Sequence, residues 1–208
     1  MRYVNEVSAF VSGKAVFCGI DIHLKHWDLC FLCDGEVVEE VRITGDFIKL
    51  MKALKSYASA RVTRIVYEAG FCGFWVYRQL LASGYECMVT APSLIPQSGS
   101  HVKTNKRDAR ALAQYFATGL LKPVYVPPIE VEADRRVIRR RGQLVDQSRR
   151  DKNQIKSFLH LHGLKTPEDI RAKWSKRYVA WLRSLNWEQP SDAFTVQNLL
   201  SCYLSRRQ

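Results

Sequence analysis

The chain contains no run approaching the roughly 18 apolar residues of a membrane span, and no amphipathic lipid anchor, so no membrane role is expected. No secretory leader is expected either, because Glu6 and a broken apolar run stand where a continuous one is needed. The six cysteines are therefore expected in a reducing compartment rather than in disulfides. Cys30-Phe-Leu-Cys33 has no second C-x-x-C to complete a metal site, and on a strand its odd offset sends the two sulfurs to opposite faces. All six read as small apolar fillers. Acidic residues are the scarce class, 20 against 32 Lys and Arg, for a net charge of +12. The excess is local: residues 101–122 hold five basic and one acidic side chain, and residues 135–156 hold nine and two. Such concentration is the expected footprint of a polyanion partner, DNA or RNA.

What is present suffices for a core, since 47% of the 208 residues are hydrophobic, enough for one ordinary domain with a helical appendage. The organising stretch is Val16 to Ile22, an apolar, β-branched run interrupted by one carboxylate, Asp21. A buried, unpaired carboxylate costs several kcal/mol unless something neutralises it, and a cation would do so. The alternative is that Asp21 ends the strand and accepts turn hydrogen bonds from His23 and Leu24. Strands at His26–Cys33 and Glu36–Thr44 follow, separated by the hairpin pair Asp34-Gly35, and make an antiparallel meander. Phe47, Leu50, Met51, Leu54 and Tyr57 recur at helical spacing, and Val62 to Tyr67 reads as a buried parallel strand ending in Glu68. A helix with Trp75, Leu80 and Leu81 and a strand from Tyr85 to Ala91 complete a mixed α/β sheet of ribonuclease H-like pattern. In that pattern acids from the first strand, the fourth strand and a later helix converge on metal ions. An actin-like ATPase also opens with Gly-Ile-Asp, but the glycine-rich phosphate loops it needs are missing.

The third acid is Asp108, at the edge of a helical stripe of Ala109, Leu112, Ala113 and Phe116, with Arg107 and Arg110 pointing away. Asn105, three residues earlier, either shares its face or caps the helix in a variant of the capping box. Beyond Pro127-Pro128 a helix from Glu130 to about Leu161 carries Val131, Ile138 and Val145 at intervals of seven, which suits a helical hairpin or coiled coil. Its basic run would repel itself without a polyanion, because too few acids lie between the arginines for intrahelical pairing. The other reading is a solvated helix face. A further helical stripe, Trp174, Tyr178, Trp181 and Leu185, reads as core before it reads as a base-stacking platform, and Val196, Leu199, Leu200 and Tyr203 form a last helix.

Gly-Ile-Asp-Ile at 19–22, Tyr-Glu-Ala-Gly at 67–70, Val-Lys-Thr-Asn-Lys-Arg-Asp-Ala at 102–109 and Leu-Lys-Pro-Val-Tyr-Val-Pro at 121–127 resemble the N-terminal, RuvC-like domain of DEDD transposases of the IS110 type, related to the Piv DNA invertases. The resemblance continues through Gln-Ile-Lys-Ser-Phe-Leu-His-Leu-His-Gly at 154–163. It implies three segments: a RuvC-like metal-binding domain at 1–127, a basic long helix or coiled coil at 128–165, and a helical segment at 166–208 leading into a C-terminal serine domain that this sequence lacks. The DEDD positions fall on Asp21, Glu68, Asn105 and Asp108, with Asn105 offering a neutral carbonyl oxygen where the family has an acid. The resemblance implies Mg²⁺ or Mn²⁺ at these residues, with Asp21, Glu68 and Asp108 catalytic in phosphoryl transfer on DNA. It also implies a guide RNA, a homo-oligomer joined through the long helix, and a cytoplasmic, nucleoid-associated recombinase that is inactive without the serine. Lys103, Lys106, Arg107, Arg110, Arg139, Arg140, Arg149, Arg150, Lys152 and Lys156 are the expected nucleic-acid contacts. The alternative is a catalytically silent module for nucleic-acid binding and dimerisation.

Overall fold

In the computed structural model the described residues are 2–96, 105–170 and 173–206, and the side chains of residues 2–5, 105 and 106 also fall outside the description. Two compact units divide the chain, Met1–Val126 and Pro127–Gln208.

The first unit is built on a five-stranded sheet of β1 (Ala15–Ile22), β2 (His26–Cys33), β3 (Glu36–Thr44), β4 (Val62–Glu68) and β5 (Glu86–Thr90). The spatial order is β3-β2-β1-β4-β5, with β1 antiparallel to β2, β2 antiparallel to β3, and β1, β4 and β5 mutually parallel neighbours. This is the ribonuclease H-like arrangement the sequence pattern predicts. β1 lies in the middle because both its faces are covered: Val16, Cys18 and Ile20 are fully buried on one, and Phe17 and Gly19 meet α4 on the other. Between β2 and β3, Asp34 and Gly35 both take positive φ, 51° and 84°, as a tight hairpin turn between twisted strands requires.

One face of the sheet packs under three helices. The first, α1 (Arg2–Val11), went unread in the sequence, and buries Val7 and Val11, one turn apart. In α2 (Phe47–Lys55) the Asp46 carboxylate caps the N-terminus by accepting from the Ile48 amide at 2.6 Å, while Leu50 and Leu54 enter the core. Val76 and Leu80 of α3 (Trp75–Ala82) join the same cluster, as does Tyr57, stacked on Phe31 at 4.0 Å. The other face is covered by α4 (Asn105–Ala117), whose Ala109 and Ala113 pack with Cys30, Leu32 and Phe17. Cys30 and Cys33 accordingly belong to different cores. The close approach depends on Gly19, where a Cβ would lie 2.1 Å from the Ala109 carbonyl oxygen and 2.6 Å from the Ala113 nitrogen.

The second unit holds α5 (Ile129–Leu161), α6 (Lys176–Ser184) and α7 (Pro190–Ser205). Its core joins Ile155 and Leu159 to Tyr178, Leu182, Leu200 and Tyr203, so the aromatic stripe is core, as expected. Trp174 is not part of a helix, however. It stands at φ 67° ahead of Ser175, whose side chain accepts from the Tyr178 amide and starts α6 there. The buried residues of α5 are Asp151, Ile155 and Leu159, all in its last third, while the seven-spaced Val131, Ile138 and Val145 are 39%, 69% and 48% exposed. The expected coiled coil is therefore seen only as a long helix.

Candidate active site

Strand register decides which side chains meet. Residues directly opposite each other in an antiparallel pair share a face, and Asp21 is opposite Asp28, which in turn is opposite Arg42. Gly19 lies against α4, so Asp21, two residues on, emerges on the α4 side. On β4, Val66 packs against Leu112 of α4, and Glu68, again two residues on, takes the same side at the exposed strand end. α4 contributes Asp108 from its first turn, half-buried.

The Asp21 carboxyl is pushed above the usual range, first by burial and further by the negative charges of Asp108 and Asp28; a hydrogen bond and the charge of His23 pull it back. The His23 contact, Nε2 to Oδ2 at 2.9 Å, is made by the ring. The His23 amide instead donates to the His26 carbonyl, so the turn residue His23 reaches Asp21 through its ring and not through its amide. Asp28 is 2% exposed and accepts two hydrogen bonds from Arg42, Nε to Oδ1 at 2.9 Å and Nη2 to Oδ2 at 3.1 Å. His26 Nε2 stands 3.9 Å from Asp28 Oδ2.

The donor chemistry fits a hard divalent cation, since the groups are carboxylate oxygens and a cation would relieve the repulsion around Asp21. The geometry brings Asp21 and Asp108 within electrostatic reach and puts Glu68 on their face, but among the described residues no three acid, histidine or cysteine side chains converge as a metal-holding set. The Asn105 side chain lies outside the described residues. Sequence reasoning missed Asp28 and Arg42. The signal was there to read, because Asp28 interrupts an apolar strand as Asp21 does.

The expected nucleic-acid contacts divide in the same way. Arg107 and Arg110 are exposed, and Arg110 Nε donates to Glu40 at 2.7 Å. Lys103 and the Lys106 side chain lie outside the described residues. In the second unit Arg139, Arg140, Arg149 and Arg150 are exposed and Lys156 is half-buried. Lys152 is braced at home, with Nζ 5.7 Å and 5.3 Å from the Trp174 and Tyr203 ring centres. Against the expectation from the sequence, α5 does form intrahelical ion pairs: Arg136 meets Glu132 at 2.8 Å and Arg149 meets Asp146 at 3.5 Å. Both pairs lie at the surface, where such pairs hold their charges weakly. An open groove of about 510 Å³ gathers Arg141, Arg149, Lys152 and Arg206 over Leu144 and Val145; Arg206 also pairs with the buried Asp151.

Residues 18–163 match the family model for DEDD transposases of the IS110 type, described as "Transposase". Over 203 residues the chain is 36% identical to transposase y4qE of Sinorhizobium fredii (strain NBRC 101917 / NGR234), covering 95% of this chain and 51% of that protein. It is 27% identical to the transposase for insertion sequence element IS1533 of Leptospira borgpetersenii, covering 93% and 56%. The chain thus spans about half the length of these relatives. Among solved structures it is similar to T. thermophilus RuvC in complex with a Holliday junction substrate, at 13% identity and a TM-score of 0.39, covering 53% of this chain and 99% of that one. That likeness is too slight to carry an argument.

Proposed function

The chain belongs to the IS110-type family of DEDD transposases, and from that premise we propose that its first unit is the metal-dependent half of a DNA transposase. Asp21, Glu68 and Asp108 hold Mg²⁺ or Mn²⁺, with the Asn105 carbonyl oxygen as a neutral fourth donor. Held there, the cation would supply polarisation of a scissile phosphate and stabilisation of the leaving oxygen. Asp21 supplies a carboxylate fixed by a central strand, His23 orients it through Oδ2, and α4 presents Asp108 to it. The attacking hydroxyl comes from the serine domain that the family resemblance implies. The exposed arginines of α5 hold nucleic acid, a guide RNA included, and the stripe of Val131, Ile138 and Val145 joins copies of the chain.

The observation that carries this reading is the placement of Asp21, at the end of the central strand on the face that α4 covers, with Glu68 on the same face of β4 and Asp108 in the first turn of α4. A cation binding the folded state alone would raise its melting temperature with concentration. The test is a melting series in Mn²⁺ for the parent and Asp21→Asn. A rise in the parent that the variant lacks supports the site, and a parent indifferent to millimolar-range Mn²⁺ would falsify it.

A second reading, a silent nucleic-acid-binding and dimerisation module, is favoured by the neutral residue at position 105. Asn105→Asp separates the two. In a metal site it should tighten Mn²⁺ binding in a calorimetric titration and slightly lower stability without metal. As a helix cap it should change neither, because Asp and Asn cap about equally well.

A further inference from the structure

The strand registers set a row of chemistry-bearing residues across the face that α4 covers. Arg42 is opposite Asp28 and Asp28 opposite Asp21, while Glu68 follows the Tyr67 that pairs with Ile20. Neighbouring strands lie about 4.8 Å apart, so Arg42 stands two spacings, roughly 10 Å, from Asp21. Three of these four residues are acids, and the guanidinium closes one end of the row.

Asp28 is 2% exposed, whereas the Arg42 side chain is 49% exposed. Removing a carboxylate from water is costly, and an apolar pair would tie β3 to β2 at least as well. What the ion pair adds is direction. The two bonds to Asp28 fix the plane of the guanidinium. They use Nε and one Nη2 hydrogen, which leaves Nη1 and the second Nη2 hydrogen to donate elsewhere.

We propose that Arg42 is a phosphate-binding residue for the DNA strand entering the Asp21 site, and that Asp28 is the residue that positions it. The inference rests on the nucleic-acid reading above. A strand laid along the row meets Arg42 with one backbone phosphate while a neighbouring one reaches Asp21 and Glu68. Arg42 thereby offsets the repulsion that three carboxylates exert on an approaching polyanion. The competing account is a pair that only ties β3 to β2.

The experiment measures binding of a short single-stranded DNA oligonucleotide, and of its duplex, to the full chain and to Asp28→Asn, Arg42→Gln and Arg42→Lys, below the melting temperature of each. Asp28→Asn keeps every cation and removes one negative charge, so net charge alone gives equal or tighter binding. Positioning gives the opposite, a loss of about threefold to tenfold, as expected for a misdirected charged hydrogen bond, with an unchanged salt slope. Arg42→Gln should lose a similar factor and lower the log–log salt slope by about 0.7 to 0.9. Arg42→Lys should keep the slope without recovering the affinity, because an ammonium lacks the fork. Equal or tighter binding by Asp28→Asn overturns the proposal. Should that variant melt too low to assay, unchanged affinity in Arg42→Lys overturns it instead. A parent that binds neither DNA overturns the nucleic-acid reading and this inference with it.

Discussion

β1 and α5 carry charge of opposite sign, and they hold it by opposite means. On β1 one carboxylate, Asp21, is placed by a backbone whose Val16, Cys18 and Ile20 are fully buried and whose Gly19 admits a helix at contact distance. On α5 the basic side chains ride a helix largely exposed over its first two-thirds, where neighbouring cations can substitute for one another. Convergence of a few groups needs a packed neighbourhood that leaves no freedom. Attraction for a polyanion needs only charge density on a stiff rod.

The sharpest way to break the comparison is to put one methyl group on each element. Gly19→Ala forces Cβ against backbone atoms of α4 that cannot swing aside, so stability to denaturant should fall by about 3 kcal/mol, the upper end of ordinary overpacking costs. The Mn²⁺ response should vanish with it, since Asp108 moves when α4 does. Wild-type stability in this variant would disprove the close approach. On α5 a companion test removes charge: changing Arg139, Arg140, Arg149 and Arg150 to Gln should lower the log–log salt slope of nucleic-acid binding by about 0.7 to 0.9 for each phosphate no longer held. The melting temperature should barely move. Unaltered affinity would return the run to a solvated face.

A smaller effect is expected from pH. Folded Asp21 holds its proton more tightly than the unfolded chain does, so ionising it costs the folded state. That cost is absent below the carboxylate range and complete above it. Between about pH 3 and about pH 7 the stability gap should therefore shift in favour of Asp21→Asn, measured by urea unfolding at both ends. A gap independent of pH counts against the raised carboxyl. The smallest effect belongs to the methyl group on α5, Gly142→Ala, where a Cβ meets nothing within 4 Å. The helix should gain about 0.8 to 1 kcal/mol, detectable as a modest rise in melting temperature. Destabilisation there would show that α5 is packed as tightly at Gly142 as β1 is at Gly19.

Strands were legible because their patterns are local. His26–Cys33 and Glu36–Thr44 fall where alternation and the Asp-Gly turn place them, and β1 and β4 differ by a residue. Trp174 escaped because its spacing with Tyr178 and Trp181 mimics a helix, whereas the Ser175 cap acts one residue later. α1 escaped because the stretch was weighed only as a leader, although Val7 and Val11 carry a helical signal. The site was legible one acid at a time, since a carboxylate in an apolar strand is anomalous by itself. Its neighbours were not. That Asp28 faces Asp21 and is held by Arg42 follows from registers between strands, which no single stretch encodes.

The lock between Gly19 and α4 also has a history in time. Gly19 and Ala109 are ninety positions apart, so a ribosome has made all five strands before the helix that covers one face emerges. Until then Phe17, Cys30, Leu32 and Val66 line a bare apolar surface on the nascent chain, the kind of surface that recruits chaperones or wrong partners. Docking α4 closes a long loop, a slow step for a chain of this topology. The same event that buries this surface brings Asp108 to Asp21, so the candidate metal site cannot form before α4 has docked.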